Sequence, residues 1–238
     1  MIAIGTIFRA PVTGVADHES ISTEGAARVA ANDIIYLNGP SSAGKTTLSR
    51  TLQERLPAPY LYLSSDTLIE LMPAKVNDWS GERSAIGYSF QKVLDAGGQT
   101  TYRVVTGEYG AKMFPAFRAM ALALARSGLK LIIDDIAFGE EPANQWRECL
   151  RDFATLWVGV TASAETLAAR ETARGDRLIG SARDQRARVH RGVTYDLFID
   201  TGALSIDEAT ERIVAHLTAG GSCVEQDKTL APPPREGR

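Results

Sequence analysis

The sequence feature that most constrains the fold is a glycine-rich segment between an apolar run and a helical stretch. The segment Gly39-Pro-Ser-Ser-Ala-Gly-Lys-Thr46 follows apolar residues 34–38 and opens a predicted helix at 45–56. It matches G-x-x-x-x-G-K-[ST], in the strand–loop–helix order of a phosphate-binding loop (P-loop). The alternative is a glycine-rich turn that caps an ordinary helix, and the added lysine and threonine argue against it. The pattern predicts binding of a nucleoside triphosphate.

Each part of this loop has a physical task. Glycines allow backbone angles and close approaches that a Cβ would block. Successive backbone N–H groups and the N-terminus of the following helix present partial positive charge to phosphates. Lys45 is expected to reach the β- and γ-phosphates, and the Thr46 hydroxyl to hold Mg²⁺. The predicted ATP-binding residues are Gly39, Pro40, Ser41, Ser42, Ala43, Gly44, Lys45, Thr46 and Thr47.

The chain beyond the loop alternates between apolar strands and amphipathic helices. Strands are predicted at residues 34–38, 60–64, 129–134, 155–161 and 196–200, and helices at 45–56, 66–72, 107–127, 141–151, 163–173 and 205–218. Near-continuous apolar strands separated by helices indicate a parallel sheet that is covered on both faces. We therefore expect a three-layer α/β/α fold with a central parallel sheet of about five strands.

Three segments fall outside this alternation. Residues 1–32 have no clear period and are expected to form a loose N-terminal extension, and the proline-containing residues 220–238 are expected to be disordered. Residues 73–106 are glycine-rich and polar, and we expect a long irregular segment near the strand ends where open α/β sheets bind ligands. One domain would then span residues 33–219.

Composition argues against several classes of protein. A chain of 238 residues with 44% hydrophobic and 23% charged residues suits a soluble α/β domain. The net charge of −3 argues against a dedicated nucleic-acid binder, and no apolar run approaches the roughly 20 residues of a membrane span. The two cysteines and three histidines form no metal-ligand cluster. The cysteine usage suits a cytoplasmic location, and the sequence leaves the oligomeric state open.

Asp66 ends the second predicted strand, one strand–helix unit after the loop. Because parallel strands end at the same edge of a sheet, its carboxylate is expected close to the γ-phosphate. There it could orient a substrate hydroxyl and accept its proton during phosphoryl transfer. It could equally cap the short helix that follows, and spacing alone does not decide between these roles.

Two acidic residues, Asp134 and Asp135, end the third predicted strand. In a P-loop protein an acidic group at this position holds Mg²⁺ directly or through water. Acids at a strand end can also serve a turn or a helix cap. Which of the two faces the metal depends on the register of the strand. We favour Asp134 because it continues the strand, and we assign the metal site to Thr46 and Asp134.

Arginines are concentrated after the fourth predicted strand. Arg170 and Arg174 lie four residues apart on one helix face, and Arg177 follows them. Guanidinium groups bind phosphate oxygens in a bidentate manner, so we expect a lid near residues 170–188 that closes over the triphosphate. The alternative is a solvated helix face on which neighbouring acids such as Glu171 pair with the arginines.

Further arginines extend this basic run at Arg183, Arg186, Arg188 and Arg191. Such a run could contact a polynucleotide. The adjacent Asp184 and the acidic net charge argue against a nucleic-acid partner. We assign the run to the lid or to the surface.

Together these segments resemble the chloramphenicol phosphotransferase family. The resemblance covers residues 34–218 and is carried by Leu37-Asn-Gly-Pro-Ser-Ser-Ala-Gly-Lys-Thr46, Ser65-Asp-Thr-Leu-Ile-Glu-Leu-Met-Pro73, Ile132-Ile-Asp-Asp135, Leu156-Trp-Val-Gly-Val160, Arg170-Glu-Thr-Ala-Arg-Gly-Asp-Arg177, Val189-His-Arg-Gly-Val-Thr-Tyr-Asp196 and Asp200-Thr201. The arginine segment and the segment that starts at Val189 are much more specific than the loop.

The resemblance implies a P-loop kinase fold that moves the ATP γ-phosphate to a hydroxyl of a small molecule. In the antibiotic-modifying member that hydroxyl is the primary alcohol of chloramphenicol. By this resemblance Asp66 matches the catalytic aspartate, and Arg170, Arg174 and Arg177 match the lid. With Lys45, these residues form the expected catalytic set.

The departures from the family concern the acceptor more than the reaction. Pro40 stands where the family pattern has glycine and removes one N–H, and residues 73–106 are unlike the compact antibiotic kinase. We expect an ATP- and Mg²⁺-dependent O-phosphotransferase, with a chloramphenicol-like antibiotic as the first candidate acceptor and antibiotic resistance as the role. The alternatives are a kinase of another small metabolite or nucleotide-sugar, and a non-catalytic nucleotide-binding regulator.

Overall fold

A parallel sheet forms the core of the protein. The computed structural model describes residues 33–95, 97–174 and 179–219. The strands are β1 (Ile34–Asn38), β2 (Tyr60–Ser64), β3 (Tyr88–Leu94), β4 (Thr100–Thr106), β5 (Lys130–Asp135), β6 (Thr155–Thr161) and β7 (Leu197–Asp200). Five of them form the sheet, in the order β2-β5-β1-β6-β7. The predicted parallel sheet is confirmed, and its predicted strands differ from the observed ones by at most one residue.

Helices cover both faces of this sheet. They are α1 (Lys45–Arg55), α2 (Ser65–Glu70), α3 (Met113–Arg126), α4 (Glu140–Cys149), α5 (Ala164–Arg174), α6 (Ser181–Val189) and α7 (Ile206–Thr218). Side chains alternate along β1, so that Ile35 and Leu37 pack with buried residues of α1, α5 and α7. Ile34 and Tyr36 pack with α3 and α4 on the other face. The predicted three-layer α/β/α arrangement is confirmed.

The carboxyl ends of three neighbouring strands meet at one edge of the sheet. β5 lies between β1 and β2, and Asp134 of β5 pairs with Leu37 on one side and Ser64 on the other. The glycine-rich loop follows β1 and α2 follows β2, so both start from this edge. This register places the loop, Asp66 and the acids of β5 close together.

The expectation of a long irregular segment at residues 73–106 is wrong. β3 and β4 pair as an antiparallel hairpin within it. Trp79 stacks on Tyr88 with ring centroids 6.3 Å apart and meets Phe90 edge-on at 5.3 Å. β4 packs against α6. The insertion is therefore an ordered element whose position is fixed by aromatic packing and by a helix of the core domain.

Two helix predictions also need correction. α3 begins at Met113 rather than at residue 107, because β4 ends at Thr106 and Gly110–Lys112 form a separate 3₁₀ turn. A Cβ on Gly110 would lie 2.5 Å from the Gly87 carbonyl oxygen. The sequence analysis assigned no helix to residues 181–189, where α6 forms. This helix is mostly polar and lacks an apolar stripe.

The predicted N-terminal extension at residues 1–32 and the predicted disordered tail at residues 220–238 lie outside the described residues. Within residues 33–95, 97–174 and 179–219, no helix has the length and apolar character needed to cross a membrane.

Candidate active site

The backbone geometry of the loop at residues 39–46 explains its sequence. A Cβ on Gly39 would lie 2.1 Å from the carbonyl oxygen of Val160, so only glycine fits there. Ser42 and Gly44 have positive φ angles of 62° and 85°. Alternation into the left-handed region is how backbone N–H groups form an anion-binding concavity. Gly44 is also the N-cap of α1, so the positive end of that helix faces the same place.

Lys45 lies across the loop, beside the end of β5. Its side chain is only 6% exposed. The ammonium group donates to the carbonyl oxygens of Gly39 and Pro40, each at 2.9 Å. It also lies 3.6 Å from Asp134 Oδ1. From this position the ammonium group can bind phosphate oxygens that also accept hydrogen bonds from the backbone N–H groups of the loop.

The two acids at the end of β5 point to opposite faces of the sheet. Asp134 faces α1, where the Thr46 hydroxyl donates to its Oδ2 at 3.0 Å. Asp135 is buried on the other face and accepts from the Tyr36 hydroxyl at 3.0 Å and the Trp146 indole at 2.7 Å. Burial raises the pKa of Asp135, and these hydrogen bonds offset part of the effect. Of the two acids, Asp134 is the one beside the loop, as the sequence analysis favoured.

The helix that carries Asp66 is capped by another residue. Ser64 Oγ accepts from the backbone N–H of Asp66 at 3.2 Å, and Ser64 is the N-cap of α2. The alternative in which Asp66 serves as the helix cap is therefore wrong. Asp66 lies in the first turn of α2, partly buried. Its side chain borders the space in front of the loop.

One cavity of about 410 Å³ brings most of the predicted site residues together. Those that line it are Ser41, Ser42, Gly44, Lys45, Thr46, Thr47, Asp66, Asp134, Arg170 and Arg174. The remaining predicted loop residues, Gly39, Pro40 and Ala43, do not line it. The cavity thus combines a phosphate-binding backbone, three cationic side chains and two carboxylates.

The three predicted lid arginines differ in position. Arg170 donates to the hydroxyl and the carbonyl oxygen of Thr201, both at 2.9 Å, and to the Ser42 carbonyl oxygen at 3.3 Å. These bonds hold Arg170 against the loop. Arg174, one helical turn later, is exposed and lines the cavity. Arg177 lies outside the described residues, and a lid that closes over this cavity stays a prediction.

A model of the family described as chloramphenicol phosphotransferase-like protein matches residues 32–218. The chain belongs to this family. Two Mycobacterium tuberculosis proteins, from strains CDC 1551 and H37Rv and provisionally named O-phosphotransferases, are each 30% identical to it over 185 residues. The matched region covers 76% of the chain and 80% of each relative. The family resemblance predicted from the sequence is confirmed. These matches also support the prediction that the protein is an O-phosphotransferase.

Solved structures share the fold of this chloramphenicol phosphotransferase-like protein. The APS kinase of Mycobacterium tuberculosis in complex with AMPPNP and APS superposes with a TM-score of 0.53 and 15% identity, covering 77% of the chain and 96% of that structure. A provisionally named kinase from Chloroflexus aurantiacus gives a TM-score of 0.52 and 19% identity, with 79% and 96% covered. At these identities the likeness shows the fold alone, which is the predicted P-loop kinase fold.

The phosphate-binding loop is held in place by residues that were not predicted to belong to the site. Gln185 of α6 accepts from the Ser41 N–H at 2.7 Å. Glu171 of α5, 1% exposed, accepts from the N–H groups of Gly180 at 2.8 Å and Ala182 at 2.7 Å. A carboxylate at a helix N-terminus is stabilising, so Glu171 fixes the start of α6. Because Glu171 is buried, it does not lie on the solvated helix face that the alternative to the lid requires.

A hydrogen-bond network lies behind the loop. It includes residues of the segment 189–196, which carried part of the family resemblance. Asn38, the last residue of β1, donates to the Tyr195 hydroxyl at 2.8 Å. That hydroxyl lies 2.9 Å from His190 Nδ1, within hydrogen-bond distance. Burial is the main cause that lowers the pKa of His190 to about 4. The imidazole is therefore neutral near neutral pH.

Two of the four arginines in the basic run after residue 180 form ion pairs with acids of the protein itself. Arg183 Nε lies 3.2 Å from an oxygen of Asp95, and Arg188 Nη2 lies 2.9 Å from an oxygen of Asp184. Such pairs occupy guanidinium groups that a nucleic acid would otherwise use. For these two arginines the pairs favour packing around α6, and the assignment of the run to the lid or the surface stays a prediction.

A second depression, wider and more open, lies between α3 and α4. Its volume is about 810 Å³, and Arg118, Glu140, Glu148 and Cys149 are among the residues that line it. It contains no residue of the glycine-rich loop. Burial raises the pKa of the Cys149 thiol, which disfavours the reactive thiolate. Arg118 is thus placed away from the candidate active site.

Proposed function

We propose that this protein transfers the γ-phosphoryl group of ATP to a hydroxyl of a small molecule. The observation that carries the proposal is the single cavity in which the glycine-rich loop, Lys45, Asp66 and Asp134 lie together with two arginines. A chloramphenicol-like antibiotic is the first candidate acceptor because the chain belongs to the chloramphenicol phosphotransferase-like family. Antibiotic resistance would then be its biological role, and a cytoplasmic location remains a prediction.

The donor side of the site stabilises negative charge. The N–H groups of the loop and of the first turn of α1 bind the phosphate oxygens. Lys45 and the two arginines place positive charge around the phosphoryl group as it moves. An arginine in such a role contributes about 10³–10⁵ in rate. Because hydrogen bonds hold Lys45 and Arg170 against the loop before the reaction, little reorganisation of these two groups is needed when charge develops.

The residues beside the loop fit a magnesium ion. Within residues 33–95, 97–174 and 179–219, no group of three or more His, Cys, Asp or Glu side chains forms a metal cage. Mg²⁺ does not require one, since it is usually held by one or two carboxylates together with water and substrate phosphates. Thr46 Oγ1 and Asp134 Oδ2, 3.0 Å apart, supply such oxygens. When bound there, Mg²⁺ neutralises charge on the β- and γ-phosphate oxygens.

The acceptor side of the proposal depends on Asp66. Its carboxylate borders the same cavity as the loop, and Ser64, not Asp66, is the N-cap of α2. We assign to it the orientation of the acceptor hydroxyl and acceptance of its proton as the oxygen attacks the γ-phosphorus. The hairpin β3–β4 follows α2 in the chain, and we propose that it borders the acceptor.

The test is a panel of hydroxyl compounds with labelled ATP, with chloramphenicol first and small metabolites and nucleotide-sugars after it. Asp66→Ala is expected to abolish transfer and to keep ATP binding, whereas Lys45→Ala should weaken both. Glu70→Gln, on an exposed position of the same helix, is the matched control and should behave like the unaltered protein. Full phosphoryl transfer by the Asp66→Ala protein would contradict the assignment of Asp66 as a catalytic residue. Tight ATP binding without transfer to any compound would favour a nucleotide-binding regulator.

A further inference from the structure

The carboxylate of Asp134 receives a hydrogen bond from a residue that no sequence motif indicated. The Tyr62 hydroxyl donates to Asp134 Oδ2 at 3.0 Å. The same carboxylate oxygen accepts from the Thr46 hydroxyl, also at 3.0 Å, and the other oxygen lies 3.6 Å from the Lys45 ammonium. Asp134 is therefore oriented from three directions, and Tyr62 is the contributor that comes from the edge strand β2.

The ring of Tyr62 is itself held in place. The guanidinium carbon of Arg50 lies 4.3 Å from the centre of the ring, in cation–π contact. Arg50 belongs to α1, whose first residues form the site. Strand β2 below the ring pairs with β5 through Tyr62 and Ile132. The hydroxyl is thus presented to Asp134 from a ring that contacts Arg50 of α1, on a strand that pairs with β5.

Tyr62 and Thr46 both donate to Asp134, but their expected roles at the metal site differ. Thr46 is a proposed metal ligand, so its oxygen has to direct a lone pair at the ion. Tyr62 is not a proposed ligand. Its hydroxyl, which also lies 3.5 Å from Thr46 Oγ1, can keep donating to Asp134, and the remaining lone pairs of that carboxylate would be available to the ion. Hydrogen bonds of this kind to a ligating carboxylate commonly change metal affinity by about 10–100-fold when they are removed.

We propose that Tyr62 is a positioning residue that orients Asp134 and thereby sets the affinity of the site for a divalent cation. The inference rests on the proposed function, because it requires a metal at Thr46 and Asp134. It assigns Tyr62 no contact with ATP or with the acceptor. Its loss should therefore weaken metal-dependent binding and leave metal-free nucleotide binding almost unchanged.

The test uses Tyr62→Phe, which removes the hydroxyl and keeps the ring over Arg50. Binding of Mn²⁺ to the full-length protein with ADP is measured by electron paramagnetic resonance, and binding of ADP in EDTA by calorimetry. We expect a rise of about 10-fold or more in the Mn²⁺ dissociation constant, with a change of less than about twofold in ADP binding without metal. Unchanged or tighter Mn²⁺ binding would overturn the inference.

Two controls separate this role from general effects on structure. Tyr60→Phe removes a hydroxyl from the same strand, two residues earlier and on the same side, and should leave Mn²⁺ binding unchanged. In an Asp134→Asn background, Tyr62→Phe should cause no additional loss, because its effect is assigned to the Asp134 carboxylate. An equal additional loss in that background would show that Tyr62 acts elsewhere and would also overturn the inference.

The outcome for Tyr62 is distinguishable from that of the proposed function. If the unaltered protein binds Mn²⁺ with ADP, and Tyr62→Phe weakens it, the inference stands even where no tested hydroxyl compound is phosphorylated. If the unaltered protein binds ADP with the same affinity in Mn²⁺ and in EDTA, both the metal assignment and the inference fail.

Discussion

Lowering the pH from about 7.5 to about 5.5 is expected to destabilise the protein through His190. Burial lowers the pKa of this side chain to about 4. The Val160 carbonyl offsets part of that effect, and the positive charges of Lys45 and Arg186 add to it. A charged imidazolium would also disturb the bond between the Tyr195 hydroxyl and Nδ1, since Nδ1 would then carry a proton of its own.

The magnitude follows from the difference between the folded and unfolded states. An unfolded chain has an ordinary histidine with a pKa of about 6.5, so it binds a proton before the folded protein does as the pH falls. Acid therefore favours unfolding. The total loss is about 3 kcal/mol and is complete below about pH 4, and about 1.3 kcal/mol of it falls between pH 7.5 and 5.5. In a domain of this size the latter corresponds to a few degrees in Tm.

The assay is urea denaturation at both pH values for the unaltered protein and for His190→Asn, without nucleotide. Asparagine offers Tyr195 an acceptor near the position of Nδ1 and does not titrate. The other histidines are the same in both proteins, so the difference isolates His190. The unaltered protein should lose about 1.3 kcal/mol more than the variant. Equal losses, or an NMR spectrum that shows a charged imidazole in the folded protein at pH 5.5, would refute the reasoning.

Two other predictions test the contacts around the loop. Glu171→Gln should cost about 1–3 kcal/mol in the free energy of unfolding, because it weakens charge-assisted bonds to the N-terminus of α6. Denaturation with Glu148→Gln, an exposed pair member, as control checks this, and equal stabilities would contradict it. Asp134→Asn should weaken metal-dependent nucleotide binding, whereas Asp135→Asn should lower Tm and keep that binding. The reverse pattern would show that the strand register is wrong.

The core of the fold could be predicted because its signals are local. The loop pattern, the apolar strands and the helices between them each lie within a short stretch of sequence. The choice between Asp134 and Asp135 was harder for a physical reason. β5 is apolar on both faces, so its sequence has no alternation that would show which side chains face α1. Only the packed structure fixes that face.

The parts that could not be predicted depend on contacts between distant residues. α6 has a buried face that includes Asp184 and Gln185, and polar residues with this spacing resemble a surface helix. Their partners, Arg103 and Ser41, are 81 and 144 residues away. The β3–β4 hairpin did carry a local signal. Two stretches rich in aromatic and β-branched residues flank a Gly-Gly turn, and the overall glycine content of the insertion obscured it.

The contacts of α6 connect the phosphate-binding loop to the β3–β4 hairpin. Gln185 holds the N–H of Ser41 in the phosphate-binding loop, while the preceding residue, Asp184, accepts from Arg103 of β4 at 2.9 Å. Because adjacent residues of one helix contact the loop and the hairpin, a shift of the hairpin displaces a group that holds the loop. Under the proposed acceptor role of the hairpin, substitutions remote from α6, such as at the exposed Trp79 that packs beside β3, should alter the acceptor with the least effect on the loop. Replacement of Arg103 alone would leave the buried Asp184 with one fewer cation and would disturb the donor side as well.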